Sequence, residues 1–103
     1  MTDKEWEIYE IKKIKALKNM AITHKPLRIP TGFKDANGNE ISGGDILLNP
    51  FYFDDWVVQY YENTWVATLL YYDCEIEEFE VDINEGLIEL CENFKINGNI
   101  YDL

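Results

Sequence analysis

The fold is decided by one stretch of sequence, TGFKDANGNEISGGDILL, which spans Thr31 to Leu48 and is called the signature stretch below. Asn37-Gly38 is the favoured pair for a two-residue type I′ hairpin, because both central residues need a positive φ. Gly43-Gly44, followed by Asp45, predicts a second turn, and the apolar run Ile46–Leu48 leaves it as a strand. Two turns that bracket one short strand predict a β fold.

Downstream, apolar and polar residues alternate as in an antiparallel meander. Two strands, Trp56–Tyr61 and Thr64–Tyr72, flank Glu62-Asn63, which predicts a two-residue hairpin connection. The second strand is apolar on both faces, which is typical of a central strand, and predicts a barrel wall covered by a helix or by another subunit. A further strand is predicted over Glu75–Ile83, with a β-bulge at Glu77-Glu78 where the alternation changes phase.

Residues 2–22 have the pattern of an amphipathic helix. Thr2 and Glu5 have the capping-box spacing, and Pro26 and Pro30 prevent the helix from continuing. The predicted apolar face repeats at intervals of three and four: Ile8, Ile11, Ile14, Leu17 and Ala21. We expect this face to cap the β body, although docking on another subunit or a host protein is an open alternative.

The chain of 103 residues is predicted to be one domain, with helix 2–22 and β body 31–103. Residues 84–92 are expected to form a loop or a helical turn, with the last strand material at Phe94–Ile96 and Asn99–Tyr101. The predicted fold class is mainly β with one N-terminal helix, as a small, bent antiparallel sheet or an SH3-like barrel.

Three segments resemble the YopX family of phage and prophage proteins. They are the signature stretch, the strand Val57–Tyr60 and the C-terminal run Ile96–Tyr101. Family members usually begin with a strand where this chain begins with a helical pattern, and Gly43 stands where the family has Glu. The resemblance implies a phage or prophage context and assembly into homo-oligomers, and the family has no established chemistry.

Charge divides the chain into two parts. Residues 1–34 hold eight Lys and Arg against four carboxylates, a net charge of +4, whereas residues 35–103 hold one Lys against sixteen carboxylates, a net charge of −15. A β body this acidic repels polyanions, so direct nucleic-acid binding by it is not expected. A partner with a basic surface would be attracted. Carboxylates that only increase solubility are the alternative explanation.

Residue types that carry catalysis or bind metals are scarce. His24 and Ser42 are the only His and Ser, and no phosphate-binding glycine motif is present, so we expect no enzymatic activity. Cys74 and Cys91 lack the spacing of a zinc site and are expected to be buried and reduced. No apolar run is long enough for a membrane helix or a signal peptide, so no membrane association and a location in the cytoplasm of the bacterial host are expected. We expect no cofactor and no metal.

Three sets of residues are candidates for binding. The acidic strand supplies a partner-binding face of Glu75, Glu77, Glu80 and Asp82, for which a metal site or a solvated edge strand are alternative explanations. Aromatic residues suited to an interface or to stacking on a ligand are Trp56, Tyr61, Trp65 and Tyr71. Possible contacts to an anion are Lys25, Arg28 and Lys34.

Three functions fit these residues. The first is a phage-encoded, non-enzymatic inhibitor or adaptor whose acidic face binds a basic host or defence protein. The second is an oligomeric sponge for a small ligand such as a signalling nucleotide, in which aromatic rings stack on the base and the basic set holds phosphate. The third is a structural or accessory phage protein without a small ligand.

Overall fold

The computed structural model describes residues 2–49, 51, 54–87 and 92–103, without the side chains of Asp82 and Ile83. Within these ranges, one helix precedes seven strands and a final 3₁₀ turn. In chain order the elements are α1 (Asp3–Thr23), β1 (Pro30–Lys34), β2 (Glu40–Ser42), β3 (Asp45–Leu48), β4 (Asp55–Tyr61), β5 (Thr64–Asp73), β6 (Glu78–Gly86), β7 (Lys95–Asn99) and the 3₁₀ turn Ile100–Asp102.

The strands form one five-stranded antiparallel sheet and one separate hairpin. The order in the sheet is β6-β5-β4-β3-β7, and β1 pairs only with β2. The predicted mainly β class with one N-terminal helix is confirmed, in the form of a small open sheet. The barrel alternative is wrong, because β6 and β7 lie at opposite edges and do not pair to close the sheet.

Both faces of the sheet are covered within one chain. Leu17 and Met20 of α1 pack on one face, against Ile46, Val57 and Leu70. The β1–β2 hairpin packs on the other face through buried Ile41 and half-buried Phe33; the sheet contributes Leu47, Trp56, Val58 and Ala67 to this second core. The central strand β5 is therefore apolar on both faces without needing another subunit to cover it.

The helix begins as predicted but packs through a different face. The Thr2 side chain accepts a hydrogen bond from the Glu5 amide at 3.2 Å, and the helix continues to Thr23. The predicted apolar face is wrong for its N-terminal half, because Ile8, Ile11 and Ile14 are exposed. The packed face instead begins at the ring of Tyr9, which contacts Tyr72 and Phe79 of the sheet.

The Asn37-Gly38 turn is wider than the predicted two-residue type I′ hairpin. β1 ends at Lys34 and β2 begins at Glu40, so five residues form the connection, and within it only Gly38 has a positive φ, of 81°. The Gly38 amide donates to the Asp35 carbonyl at 3.0 Å. The Asp35 carboxylate accepts from two further amides of the loop and thereby stabilises the wider connection.

The other two predicted turns are present. Gly43-Gly44 carries the chain from β2 in the hairpin layer to β3 in the sheet, and Gly44 has a φ of 85°. Glu62 and Asn63 both have positive φ and join β4 to β5, as a two-residue hairpin requires.

The acidic strand begins later than predicted. Residues 74–77 form the turn between β5 and β6, and Glu77 has a positive φ of 54°. The predicted bulge at Glu77-Glu78 is wrong, because the break in register lies where Leu69 pairs with Ile83 and Leu70 with Val81. The register therefore leaves Asp82 as the extra residue. β6 continues to Gly86, so residues 84–86, expected in a loop or helical turn, are strand instead. β7 begins at Lys95, one residue later than predicted, and the predicted strand at Ile100 and Tyr101 is wrong, because both lie in the 3₁₀ turn.

Candidate functional site: an acidic hairpin tip and a polar cavity

The connection between β5 and β6 forms an acidic tip, defined here by five carboxylates. Its members are Asp73, Glu75, Glu77, Glu78 and Glu80. The Asp73 carboxylate accepts hydrogen bonds from the amides of Glu75, at 2.8 Å, and Ile76, and so closes the turn. The side chains of residues 74–78 are exposed, including Cys74, which was expected to be buried, and Ile76. Cys91 lies outside the described residues.

The charges of the acidic tip are not neutralised by the rest of the chain. Among the residues that the structure describes, none of the five carboxylates forms an ion pair. Lys12 is close, but its Nζ donates to the backbone carbonyl of Glu77 at 3.2 Å. Glu80 differs from the others, since the Tyr71 hydroxyl donates to its Oε2 at 3.0 Å. Glu75 and Glu77 are thus brought together in the turn, Glu80 lies on the strand, and the side chain of Asp82 is outside the description.

The topology also supports the simpler explanation for this charge. β6 is an edge strand, and carboxylates on an edge discourage pairing with another chain. Asp73 lies directly opposite Glu78 in the register, so two like charges face one another across the hairpin. The repulsion between Asp73 and Glu78 opposes folding slightly, and no described cation pairs with either carboxylate.

A groove of about 530 Å³ separates the acidic tip from α1. Lys12, Lys15 and Asn19 line the helix side, and Ile76 to Phe79 line the other side. The groove therefore has one cationic wall and one anionic wall. No group of three or more His, Cys, Asp or Glu in the described part of the chain is arranged to hold a metal ion.

A second cavity, of about 400 Å³, opens where α1 ends. We call it the polar cavity; it is lined by His24, Gln59, Tyr60, Tyr61, Thr68, Val81 and Asn84. The cap of α1 is His24, so beyond it this face of the sheet is no longer covered by the helix. There the side chains on β4, β5 and β6 change from apolar to polar.

Three side chains form a hydrogen-bonded row across the floor of the polar cavity. The Gln59 amide donates to the Thr68 hydroxyl, and that hydroxyl donates to Asn84 Oδ1. Gln59 Nε2 also lies 3.5 Å from Asn84 Oδ1. Gln59 and Thr68 are buried, with exposed fractions of 7% and 2%. The row cannot be predicted from the sequence, because its members come from three strands and only the register brings them together.

The four aromatic candidates do not share one surface. Trp56 is a core residue whose ring meets Phe94 edge-on at 6.2 Å, and Trp65 is half-buried against Tyr60. Tyr71 is half-buried beside Glu80, and only Tyr61 is exposed and lines a cavity. Strand alternation places Tyr61 on the face of the sheet opposite Trp56, since even and odd positions of β4 lie on opposite faces, whereas Trp56 and Trp65 pack on the same core.

The three basic candidates are also apart. Arg28 forms an exposed ion pair with Asp102 at 2.7 Å. Lys34 lies at the far end of β1, and five extended residues span about 16 Å. Lys25 follows the helix cap with a positive φ of 44°. These cations do not converge on one anion site within the described structure.

Two carboxylates of the signature stretch are buried and serve the fold. Asp45 accepts from the Ser42 amide at 2.7 Å and from Asn99 Nδ2 at 3.1 Å. Asp35 accepts from three amides: Asn37, Asn39 and Ile96. Burial acts to raise the pKa of Asp35, but these hydrogen bonds together outweigh it and hold the pKa below its usual value.

A partly buried ion pair joins the helix to the sheet. Lys13 Nζ lies 3.1 Å from Asp55 Oδ2, and 3.8 Å from Glu10. Burial acts to lower the pKa of Lys13, but the Asp55 carboxylate, with help from Glu10, raises it above its usual value. Nothing local in the sequence distinguishes Lys13 from Lys12 or Lys15, so this ion pair could not be predicted from it.

The chain belongs to the YopX protein family, whose model matches residues 2–103. The match extends through the N-terminal helix as well as the segments that carry the resemblance. No curated protein and no solved structure matches the chain. Membership of this family suggests a phage-type protein. In the described residues, no helix is long and apolar enough to cross a membrane.

Proposed function

We propose that this chain is a phage-encoded, non-enzymatic binding protein, an acidic inhibitor or adaptor that acts on a basic host or defence protein in the bacterial cytoplasm. One observation carries the proposal. Five carboxylates within eight residues surround an exposed turn, and no described cation pairs with them. Three of the five, Glu75, Glu77 and Glu78, form no described side-chain hydrogen bond or ion pair, so a binding role gives their charges a purpose beyond solubility.

The chemistry of the acidic tip suits a protein partner. Exposed carboxylates attract a basic surface over a range of about 10 Å at 0.1 M salt and mainly raise the association rate. The exposed Ile76 side chain at the centre of the turn adds apolar area that a partner could bury. Phosphate groups would be repelled by the same charges, so a basic protein is the expected partner.

The test compares two variants that change net charge equally. Replacing Glu75, Glu77 and Glu78 with Gln neutralises the acidic tip, and replacing the exposed Glu40, Glu62 and Glu92 with Gln is the matched control. Each protein is used to capture partners from a bacterial host lysate, and mass spectrometry identifies them. We expect a basic partner, bound in stoichiometric amount, to be lost with the first variant and retained with the second.

Three results would count against the proposal. Equal loss of the partner with both variants would show that net charge, not the tip, controls binding. Capture of no stoichiometric protein would favour the structural or accessory alternative. A co-purifying nucleotide would favour the signalling-nucleotide sponge, which has less support because Lys25, Arg28 and Lys34 do not converge.

We also propose that the protein is a homo-oligomer. Both faces of β5 are covered within one chain, so β5 does not need a second copy. The outer face of α1 is different, because Ile8, Ile11 and Ile22 are exposed there beside Lys4, Lys15 and Lys18. This apolar and cationic face complements the acidic β body of a second copy. Light scattering that returns 12.2 kDa for the wild type would contradict the proposal, and Ile11→Asp should dissociate the oligomer.

A further inference from the structure

We infer that the polar cavity is a binding site for a neutral nucleobase or nucleoside. The proposal is independent of the acidic tip, because Thr68 and Glu75 are separated by about 20 Å of strand and turn. It rests on how the row Gln59, Thr68 and Asn84 distributes its hydrogen bonds.

The row leaves complementary groups free at its two ends. Thr68 has no free donor, since its hydroxyl proton goes to Asn84, and the same hydroxyl accepts from Gln59. Gln59 uses its Nε2 within the row, and its Oε1 accepts no hydrogen bond from any described residue. Asn84 uses its Oδ1, and its Nδ2 donates to no described residue. An acceptor, Gln59 Oε1, and a donor, Asn84 Nδ2, therefore remain free at the two ends of the row, on two carboxamides that Thr68 links.

A free carboxamide acceptor and a free carboxamide donor in one cavity are complementary to the polar atoms of a nucleobase. Adenine and cytosine each carry an amino donor next to a ring-nitrogen acceptor, which Asn and Gln side chains recognise. Tyr61 and His24 line the same cavity and supply planar rings on which a base can stack. The cavity volume of about 400 Å³ accommodates a molecule of this size.

Charge selects a neutral ligand. The described lining contains no Lys or Arg, and the β body around the cavity has a net charge of −15. A phosphate would gain no ion pair there and would be repelled by the body. The free nucleoside should therefore bind at least as well as its monophosphate, which is opposite to what a nucleotide sponge built on basic residues would show.

The test is a titration of the ¹⁵N-labelled full chain, followed by NMR, with adenosine, cytidine and adenosine monophosphate as probes. We expect adenosine or cytidine to shift the signals of Gln59, Thr68 and Asn84, with the monophosphate no tighter. Asn84→Ala should weaken nucleoside binding by about tenfold, because it removes the free donor. Asn84 is exposed, so the variant should fold.

Two further variants make the test specific. Asn97→Ala is the matched control, the same change at an exposed position on the opposite edge strand, β7, and should leave the affinity unchanged. Thr68→Val keeps the shape of the side chain but removes the link between the two carboxamides, and should weaken binding about as much as Asn84→Ala.

Several outcomes would overturn the proposal. The first is that neither nucleoside shifts the cavity signals. The second is that Asn84→Ala and Asn97→Ala weaken binding equally. The third is tighter binding of the monophosphate, lost when Lys25 or Arg28 is replaced with Ala, which would assign the ligand to the basic residues instead.

Discussion

Carboxylates do opposite things in the signature stretch and in the acidic tip. Asp35 and Asp45 are buried, and each accepts hydrogen bonds from the backbone or a buried side chain. Glu75 and Glu77 are exposed and pair with no cation in the described chain. The buried carboxylates hold loops in place, whereas the exposed carboxylates are only tolerated by the fold. A binding function is therefore expected of the exposed carboxylates of the acidic tip, although the buried carboxylates lie in the stretch that identifies the family.

The signature stretch fixes the contact between layers as well as its own turns. The Gly43 amide donates to the Ile29 carbonyl, and the Gly44 amide donates to the Val58 carbonyl at 2.7 Å. Asn99 Nδ2 donates to the Gly43 carbonyl, and the Tyr101 hydroxyl reaches the Pro26 carbonyl. The C-terminal segment of the resemblance thus completes the same network as the signature stretch.

The largest effect is expected at Gly43. A Cβ placed there would lie 1.5 Å from the Leu27 carbonyl oxygen and 2.7 Å from its carbon, both backbone atoms. Gly43→Ala must therefore displace the segment before β1, and we expect it to lower the free energy of unfolding by about 4 kcal/mol or to prevent folding. Urea unfolding followed by tryptophan fluorescence measures the change.

Gly38→Ala is the matched comparison for Gly43→Ala. Nothing lies within 4 Å of a Cβ at Gly38, so only its positive φ of 81° opposes the substitution. We expect a cost of about 1 kcal/mol. Equal losses in the free energy of unfolding for the two variants would show that the close approach of the Leu27 backbone to Gly43 does not hold the layers together.

The next largest effect is expected at Asp35. Asp35→Ala removes the acceptor of three amides, of which that of half-buried Ile96 is least able to find water instead. We expect a loss of about 2 to 3 kcal/mol in urea unfolding. Glu40→Ala, an exposed carboxylate on the neighbouring strand β2, is the control and should change stability little.

The effect of Asp35 should depend on pH in a defined direction. Its folded-state pKa lies below the usual 3.8, so the ionised form stabilises the native state above the unfolded pKa. The stability difference between wild type and Asp35→Asn should therefore be constant near neutral pH and shrink as the pH falls below about 4. A difference that does not change down to pH 2 would contradict this role for the charge.

A smaller effect is expected for the ion pair between helix and sheet. Lys13→Ala leaves the Asp55 carboxylate, with an exposed side-chain fraction of 7%, without its partner, and we expect a cost of about 2 kcal/mol. Lys15→Ala, two positions along the helix, should cost almost nothing, because Lys15 is exposed and forms no ion pair with a described residue. Thermal unfolding by circular dichroism compares the two variants, and equal shifts would contradict the distinction.

Local signals predicted the fold well, and distant contacts explain where they failed. The cap at Thr2, the Glu62-Asn63 turn and the faces of β5 follow from spacing alone, because each depends on neighbours in sequence. The packed face of α1 does not, since the isoleucine stripe and the stripe through Tyr9, Leu17 and Met20 both repeat at helical intervals. Which stripe is buried depends on what the sheet presents, here Tyr72, Phe79 and Asp55.

One candidate site can be predicted from neighbouring residues in the sequence, and the other depends on contacts between distant residues. The acidic tip is visible in the sequence because its five carboxylates are close along the chain, although the turn within it was predicted as strand. The polar cavity could not be predicted, because Gln59, Thr68 and Asn84 come from three strands and meet only through the register of β4, β5 and β6. The buried role of Asp35 depends likewise on the amide of Ile96, which lies in the last strand.

The smallest effect on stability is expected at the acidic tip itself, and it is the one that bears on function. Glu78 faces Asp73 directly across the hairpin, and Glu75 and Glu77 are exposed within the turn, so replacing all three with Gln removes repulsion and no described side-chain contact. We expect the melting temperature to stay the same or rise slightly. The free energy of unfolding should increase by no more than about 0.5 kcal/mol. Glu80→Gln is the contrast within the tip, because Glu80 accepts from the Tyr71 hydroxyl at 3.0 Å and neutralising it should weaken that bond. If the triple variant instead lowers stability more than Glu80→Gln does, the tip is part of the structural framework and its charges need no partner to explain them.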